Sequence, residues 1–274
     1  MKRTAVFAGV FVCFLGIGCH EQVKTSQEAY VSPTEEETQF IARTEELGAQ
    51  VFLHDQYAAR ATSLLYAHGV DLAERGTQGW ITEGRPDGCA VTFVAGDPES
   101  WRSVCVVTFA GGAEPNIILV DKDLTETQSA MFGARQIVLG IVKNPCSEAY
   151  NTVVIPQEGR PGWLAYALAA TSDPNLLLVG GHYRATVSAD GQTVLEQRSF
   201  TRECLVLKSS EAVLPDVDVA AFTVGHILDA RPTEIHVFLN LLCGKPLYVV
   251  TADRRFWRIE NGKIRLLKLP ADDR

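Results

Sequence analysis

GGHYRATVSADGQTVLEQRSFTRECLVL, residues 180–207, is the stretch whose reading decides the fold. Ala189, Asp190 and Gly191 suit a type I turn followed by a left-handed glycine, a common connection between antiparallel strands. Apolar and polar residues alternate on the strand entering it, the period of a half-buried strand. With Ser188 closing on Gln192, Val187 pairs with Thr193 and Ala185 with Leu195. Arg184 then faces Glu196, and His182 faces Arg198. Tyr183, Ala185, Val187 and Leu195 share one face; His182, Arg184, Glu196 and Arg198 share the other. A two-residue turn shifts the register by one and exchanges the faces, so the apolar pattern favours the longer loop. The stretch reads as the central hairpin of an antiparallel sheet.

The chain on either side has the same texture. Short β-prone runs over 80–82, 89–95, 104–109 and 117–120 are separated by Gly, Pro, Asp and Asn. Gly96 to Glu99 turn between the second and third. Further strands are expected over 152–155 and 163–170, with Arg160, Pro161 and Gly162 turning between them, and over 205–207 and 217–227. A closing meander occupies 247–251, 255–260 and 263–267. Asn261–Gly262 is the strongest short turn signal; it pairs Ile259 with Ile264 and Glu260 with Lys263, and places Trp257 and Leu266 on one apolar face. Of the tryptophans, Trp163 and Trp257 are expected in the core, and Trp101, in a turn beside charged residues, is the one suited to binding a ligand.

Helices interrupt this pattern in three places. Thr34 with Glu37 and Thr125 with Gln128 are capping-box pairs. After Thr34, a helical period leads through Phe40, Leu47 and Val51 to Tyr57, Ala61, Leu64 and Leu65, with Gly69 as its stop. Gly48 and the His54–Asp55 pair are possible break points, Asp55 being a possible second cap. One long helix and a helical hairpin both remain open. Pro232 and Thr233 start a last helix with Ile235, Phe238, Leu239 and Leu242 as its buried stripe and Gly244 as its stop. Mixed order without regular β-α alternation gives an α+β class: an N-terminal helix or helical hairpin packed on an antiparallel, meander-rich β body with one or two further helices.

The first residues set the expected compartment. Met1, Lys2 and Arg3 precede an apolar run over 4–17, a secretory signal pattern. The run is shorter than the roughly 20 residues a membrane span needs. Gly16-Ile17-Gly18-Cys19 resembles a bacterial lipobox, although Leu15 stands four residues before the cysteine rather than three. The resemblance implies removal of residues 1–18, a lipid on Cys19, and a polar tether over 19–32 leading to a single domain over 33–274, or to two sub-lobes over 33–160 and 161–274. His20 stands where, under the lipoprotein sorting rule of enteric bacteria, an aspartate would retain the protein at the inner membrane. The expectation is therefore a periplasm-facing protein anchored to the outer membrane.

A net charge of −8 argues against nucleic acid, whose phosphates an acidic chain repels. Of seven cysteines, Cys13 and Cys19 belong to the leader and anchor. Export permits disulfides among the others. Cys146 and Cys204 are the expected pair, each at a polar-to-apolar junction before a strand; the states of Cys89, Cys105 and Cys243 stay open. CxxC, GxSxG, HExxH, SxxK, Walker and dinucleotide-binding patterns are absent from the sequence.

The residues that could carry chemistry are His182, Arg184, Glu196 and Arg198 on the hairpin, and His236 in the last helix. The first four could hold an anion with the histidine as donor or base, or staple a sheet face by ion pairs. Glu234, His236, Asn240 and Cys243, even with His226, lack the spacing of a zinc site. No metal or cofactor is expected. The expected role is a lipid-anchored envelope protein that binds or scaffolds an envelope protein partner; the alternative is an envelope hydrolase with His182 or His236 as general base.

Overall fold

The Thr34–Glu37 pair closes as a full capping box: Glu37 N–H donates to Thr34 Oγ1 at 3.2 Å, and Thr34 N–H to the Glu37 carboxylate at 3.1 Å. From this cap, α1 runs unbroken over Glu35–Ala67, about 50 Å at 1.5 Å per residue. The computed structural model describes residues 29–208 and 219–268; Cys19 and the leader lie outside them. Of the two readings of the N-terminal region, the single helix is the one found. Gly48 does not break it, because a side chain there would meet Val237 and the Glu234 carbonyl of a packed helix. Asp55 is no cap but a buried residue in mid-helix.

The buried stripe of α1 is Thr44, Gly48, Val51, Asp55, Ala58, Ala61 and Leu65, spaced three and four apart as one helical face requires. Its small residues let other elements approach closely. Its last part packs on Val91, Phe93 and Val107, and Val51 joins the largest core cluster. One helix therefore ties two cores together.

Strands β1 (Thr77–Arg85), β2 (Gly88–Ala95), β3 (Arg102–Ala110) and β4 (Asn116–Asp123) form an antiparallel meander in sequence order. Thr125 and Gln128 form the second capping box and start α2 (Glu126–Gly140). Then follow β5 (Ala149–Pro156), β6 (Trp163–Ala170), β7 (Leu176–Leu178), β8 (Tyr183–Val187), β9 (Val194–Ser199) and β10 (Val206–Lys208). β5-β6-β8-β9 make a second antiparallel sheet, and β7 pairs with β10. Among these, β7 is unforeseen: three consecutive leucines carry no strand period. The second sheet packs against α2 through Val154, Ala165, Ala167 and Ala185 on one side and Met131 and Phe132 on the other.

The α+β class and the antiparallel, meander-rich body are as expected, and the last unit adds one parallel pair to it. β11 (Phe222–His226) pairs in parallel with β12 (Leu247–Thr251), Phe222 opposite Leu247 and His226 opposite Thr251. A parallel pair needs a crossover, and α3 (Glu234–Cys243) supplies it. Gly244 ends α3 in the left-handed region, as its position predicts. β13 (Phe256–Glu260) and β14 (Lys263–Leu266) complete the sheet with the expected register: Ile259 with Ile264, Glu260 with Lys263, Trp257 with Leu266. Trp257 is fully buried. Trp163 is only half-buried, and Leu242 is 46% exposed rather than part of the α3 stripe.

The hairpin of residues 180–207 exists, with Gly191 left-handed and its N–H bonded to Ser188 O at 2.9 Å. Its register differs. Ser188 closes on Thr193, not Gln192, because Ser188 Oγ accepts the Thr193 N–H and the Asp190 carboxylate accepts the Gln192 N–H. A bulge at Leu195 adds a second displacement. The two sum to an even shift, which preserves the faces while changing the partners. Arg184 stands opposite Arg198, not Glu196. The His182 carbonyl accepts from Phe200, not Arg198. Leu195 is thrown outward, 59% exposed.

Candidate functional site

A cleft of about 440 Å³ opens where the end of β6, β7, the start of β11 and the far end of α3 come together. Leu168, Leu177, Phe222, Phe238 and Leu242 give it an apolar lining. Asp55 of α1 and Asn151 of β5 are polar members of the wall, together with Thr171, Asp173, Asn175 and Lys245. Asp55 is 4% exposed. Its carboxylate accepts from Asn151 Nδ2 at 2.9 Å and from Gln56 Nε2 at 3.3 Å. Burial raises its pKa above the ordinary value against those two hydrogen bonds, since a desolvated carboxylate is penalised in its charged form. An apolar concavity with a few polar groups and a perturbed acid is the usual form of a small binding site.

Cys243 and Lys245 border the cleft. The Cys243 thiol lies 3.6 Å from the Asn240 and Lys245 carbonyls, and burial pushes its pKa up. It is a protonated thiol and a poor nucleophile at neutral pH. Lys245 Nζ donates to Val219 O at 2.8 Å. Asn240, on the same helix, is spent on the fold: its amide donates to Lys245 O and Ile259 O and accepts from the Gly262 N–H.

Of the residues singled out from the sequence, His182 stands directly behind this cleft. His182 is completely buried. The Ala169 N–H donates to Nδ1 at 3.2 Å, and Nε2 donates to Leu178 O at 2.8 Å. These two bonds fix the tautomer. Ala169 and Leu178 both line the cleft, so the ring joins β6 to β7 and sets the width of one wall. Burial drives the His182 pKa down to about 4, which keeps the ring neutral and both bonds intact. With each nitrogen engaged by the backbone, this arrangement offers no lone pair to a substrate.

The opposite wall, α3, is held by ions. Arg184 Nη1 meets the Glu234 carboxylate at 2.6 Å, and Tyr166 Oη donates to the same oxygen at 3.2 Å. Glu196 touches Arg184 only at 4.0 Å, from a solvated position. Arg198 pairs with Asp229 at 2.7 Å, and Asp229 with His226 Nε2 at 2.7 Å. The His226 hydrogen bond, with Arg198 beside it, holds the Asp229 carboxyl well below the usual range. The His226 ring meets His236 edge to face at 4.6 Å. His236 Nδ1 in turn accepts the Thr233 N–H at 3.0 Å, filling the role of the glutamate or glutamine in a capping box. Burial lowers the His236 pKa to about 3.

Arg184, Arg198 and His236 are thus brought to one partly buried polar seam between the β8–β9 hairpin and α3, with Glu196 at its edge and His182 beside it against Phe238. The sequence treated hairpin and helix as separate candidates; His226, Asp229 and Glu234 join them. Asp55 is the residue the sequence reading misplaced, because an aspartate after a histidine in a helical run looks like a cap. Among the described residues, no group of three or more His, Cys, Asp or Glu side chains is arranged to hold a metal ion.

Cys146 and Cys204 form the expected disulfide. It lies beside Gly181, which has no room for a side chain against Cys146. Leu205 O accepts the N–H groups of Val179 and Gly180, so the bond anchors the strand pair that carries Leu177 and Leu178. Cys89 and Cys105 are buried free thiols; burial pushes the Cys89 pKa up to about 12.

The chain matches no protein-family model, no curated protein and no solved structure.

Proposed function

We propose that this chain is an exported, lipid-anchored cell-envelope protein that works by binding, and that its cleft receives an apolar segment of an envelope protein partner. The observation that carries the reading is the cleft itself: a concavity lined by Leu168, Leu177, Phe222, Phe238 and Leu242, with Asp55 tied to Asn151 in its wall and His182 tied to the backbone behind it. Such a lining suits shape recognition of an apolar group. The basic and apolar first residues and the Gly18–Cys19 junction support export and anchoring at Cys19. The Cys146–Cys204 disulfide suits an oxidising compartment.

A photoreactive residue in place of Leu242, which lines the cleft and is 46% exposed, tests the binding. Crosslinking to an envelope protein is expected there and not from the same residue at Tyr66, on the exposed end of α1. Equal capture from both positions, or none from Leu242, sinks the cleft reading. Mass spectrometry of the mature N-terminus tests the anchor: a diacylated or triacylated Cys19 is expected, and an unmodified start or a cut elsewhere refutes it. Turnover of an ester or amide substrate, abolished by His182→Asn or His236→Asn, would replace binding with hydrolysis.

A further inference from the structure

A second concavity, separate from the Asp55 cleft, lies at the tip of the β8–β9 hairpin, where it meets the start of α2 and the turn between β2 and β3. Its volume is about 950 Å³. Trp101 comes from the β2–β3 side and Trp163 from the start of β6; Gln136 and Glu126 come from α2, and Asp190 and Gln192 from the hairpin tip. We propose that this groove binds a neutral oligosaccharide of pyranose rings, with the two indoles packing against sugar rings and the amide side chains bonding their hydroxyls. The proposal stands independently of the cleft and its partner.

Three features of the lining carry it. The first is the pair of half-buried tryptophans. Indoles offer large, rigid, amphipathic surfaces that lose little entropy on binding, and a pyranose ring presents C–H groups on its faces and hydroxyls around its edge. Trp163 is held in place by its own N–H, which donates to Ala189 O at 3.1 Å. Trp101 is wedged edge-on against Phe132 with ring centres 4.8 Å apart.

The second feature is unspent polarity. The side-chain amides of Gln136 and Gln192 and the Glu126 carboxylate have no hydrogen-bond partner among the described residues. Asp190 uses Oδ1 for the Ser188 hydroxyl and the Gln192 N–H, which leaves Oδ2 to accept. An amide donates and accepts at once, as a hydroxyl does. The lining contains Glu126 and Asp190 but no lysine or arginine. Phosphates, nucleotides and acidic sugars are disfavoured by that sign; a neutral glycan is not.

The third feature is a rigid base. Gly191 is left-handed, and a side chain on it would overlap the Ala130 carbonyl of α2. A side chain on Gly133 would in turn press on Gly191 O. The hairpin tip is therefore seated directly on α2, with backbone against backbone. A groove formed before its ligand arrives loses less on binding.

Calorimetric titration of the full folded protein with three tetrasaccharides tests the proposal: β1,4-linked N-acetylglucosamine, β1,4-linked glucose and α1,4-linked glucose. Saturable binding of at least one is expected. Trp101→Ala should weaken it about tenfold or more, the scale of a binding hot spot. Gln192→Ala, at an exposed position that leaves the fold intact, should weaken it about threefold, the scale of one modest hydrogen bond. Leu195→Ser, on the same hairpin outside the groove, should not change it. Absence of saturable binding up to millimolar saccharide overturns the proposal. So does binding indifferent to both Trp101→Ala and Gln192→Ala. Binding of a proline-rich decapeptide that is lost in Trp101→Ala, with no saccharide bound, overturns it in favour of peptide recognition.

Discussion

Arg184 and Glu234 meet at 2.6 Å with the carboxylate almost wholly buried, and this contact joins the central hairpin to the crossover helix. Tyr166 donates to the same carboxylate oxygen, and the burial that brings them together raises the phenol pKa well above its usual value. Removing one member of a buried pair leaves an uncompensated charge, which costs about 3–5 kcal/mol. Glu234→Ala should destabilise by that amount in urea denaturation. Replacing both ions, Arg184→Met with Glu234→Met, should recover at least half of the loss, because a well-packed apolar pair avoids the desolvation. A double variant as unstable as Glu234→Ala would show that the seam depends on charge rather than on packing.

The same seam makes stability sensitive to acid. In the unfolded chain, His182 and His236 take a proton near pH 6.5, whereas in the fold they do so near pH 4 and pH 3. Between these limits the unfolded state binds more protons, so stability falls as the pH falls. The full contribution is present above about pH 6.5, and His182 alone contributes about 3 kcal/mol at 1.36 kcal/mol per pKa unit. Asp229, whose carboxyl is lowered by His226 and Arg198, adds a further loss once the pH drops into the carboxylate range. Asp55 works in the opposite sense: its raised carboxyl destabilises the fold at neutral pH and is relieved as it protonates. Urea midpoints measured from pH 7.5 to pH 4 should fall steadily, with a shallower slope in His182→Asn. A flat profile would mean that the rings titrate alike in both states.

The Cys146–Cys204 bond closes a loop with a sequence separation of 58. In the chain-entropy model such a loop is worth about 4 kcal/mol. The double variant Cys146→Ser, Cys204→Ser should lose about that much in urea denaturation, and reduction of the wild-type protein should give the same midpoint. A loss under about 1 kcal/mol would indicate that the reduced chain retains the same local structure.

Local signals in the sequence survive into the structure almost intact. Thr34 and Thr125 cap helices through residues three positions away, and Asn261–Gly262 sets the β13–β14 register, because each depends only on neighbours in sequence. The central hairpin was half legible. Its turn and faces follow from the alternation, but the Ser188–Asp190 hydrogen bonds and the bulge at Leu195 moved its partners. What escaped depends on distant packing. The parallel pairing of β11 with β12 is set by where α3 lies, and Asp55 acquires its character from Asn151, 96 residues away. Joining the two groups of polar candidates required Asp229, which in sequence looks like an ordinary surface acid, and a contact of Glu234 with the hairpin that its position in the last helix does not announce.

Gly48 isolates this difference between local and distant causes. By helix propensity alone, Gly48→Ala should stabilise α1 by about 1 kcal/mol. In the fold, the added carbon would stand 2.5 Å from Val237 Cβ and 2.7 Å from Glu234 O. Both are parts of packed backbone or of a stiff β-branched side chain, so α3 must shift to make room. Overpacking of this kind costs about 1–3 kcal/mol, and here it would also strain the Arg184–Glu234 contact one turn away. Gly48→Ala should therefore lower the urea midpoint, and Gly48→Ala with Val237→Ala should be less destabilised than the sum of the two single variants. A Gly48→Ala protein more stable than wild type would mean that α1 and α3 do not approach this closely, and that the glycine marks flexibility in the helix rather than a contact.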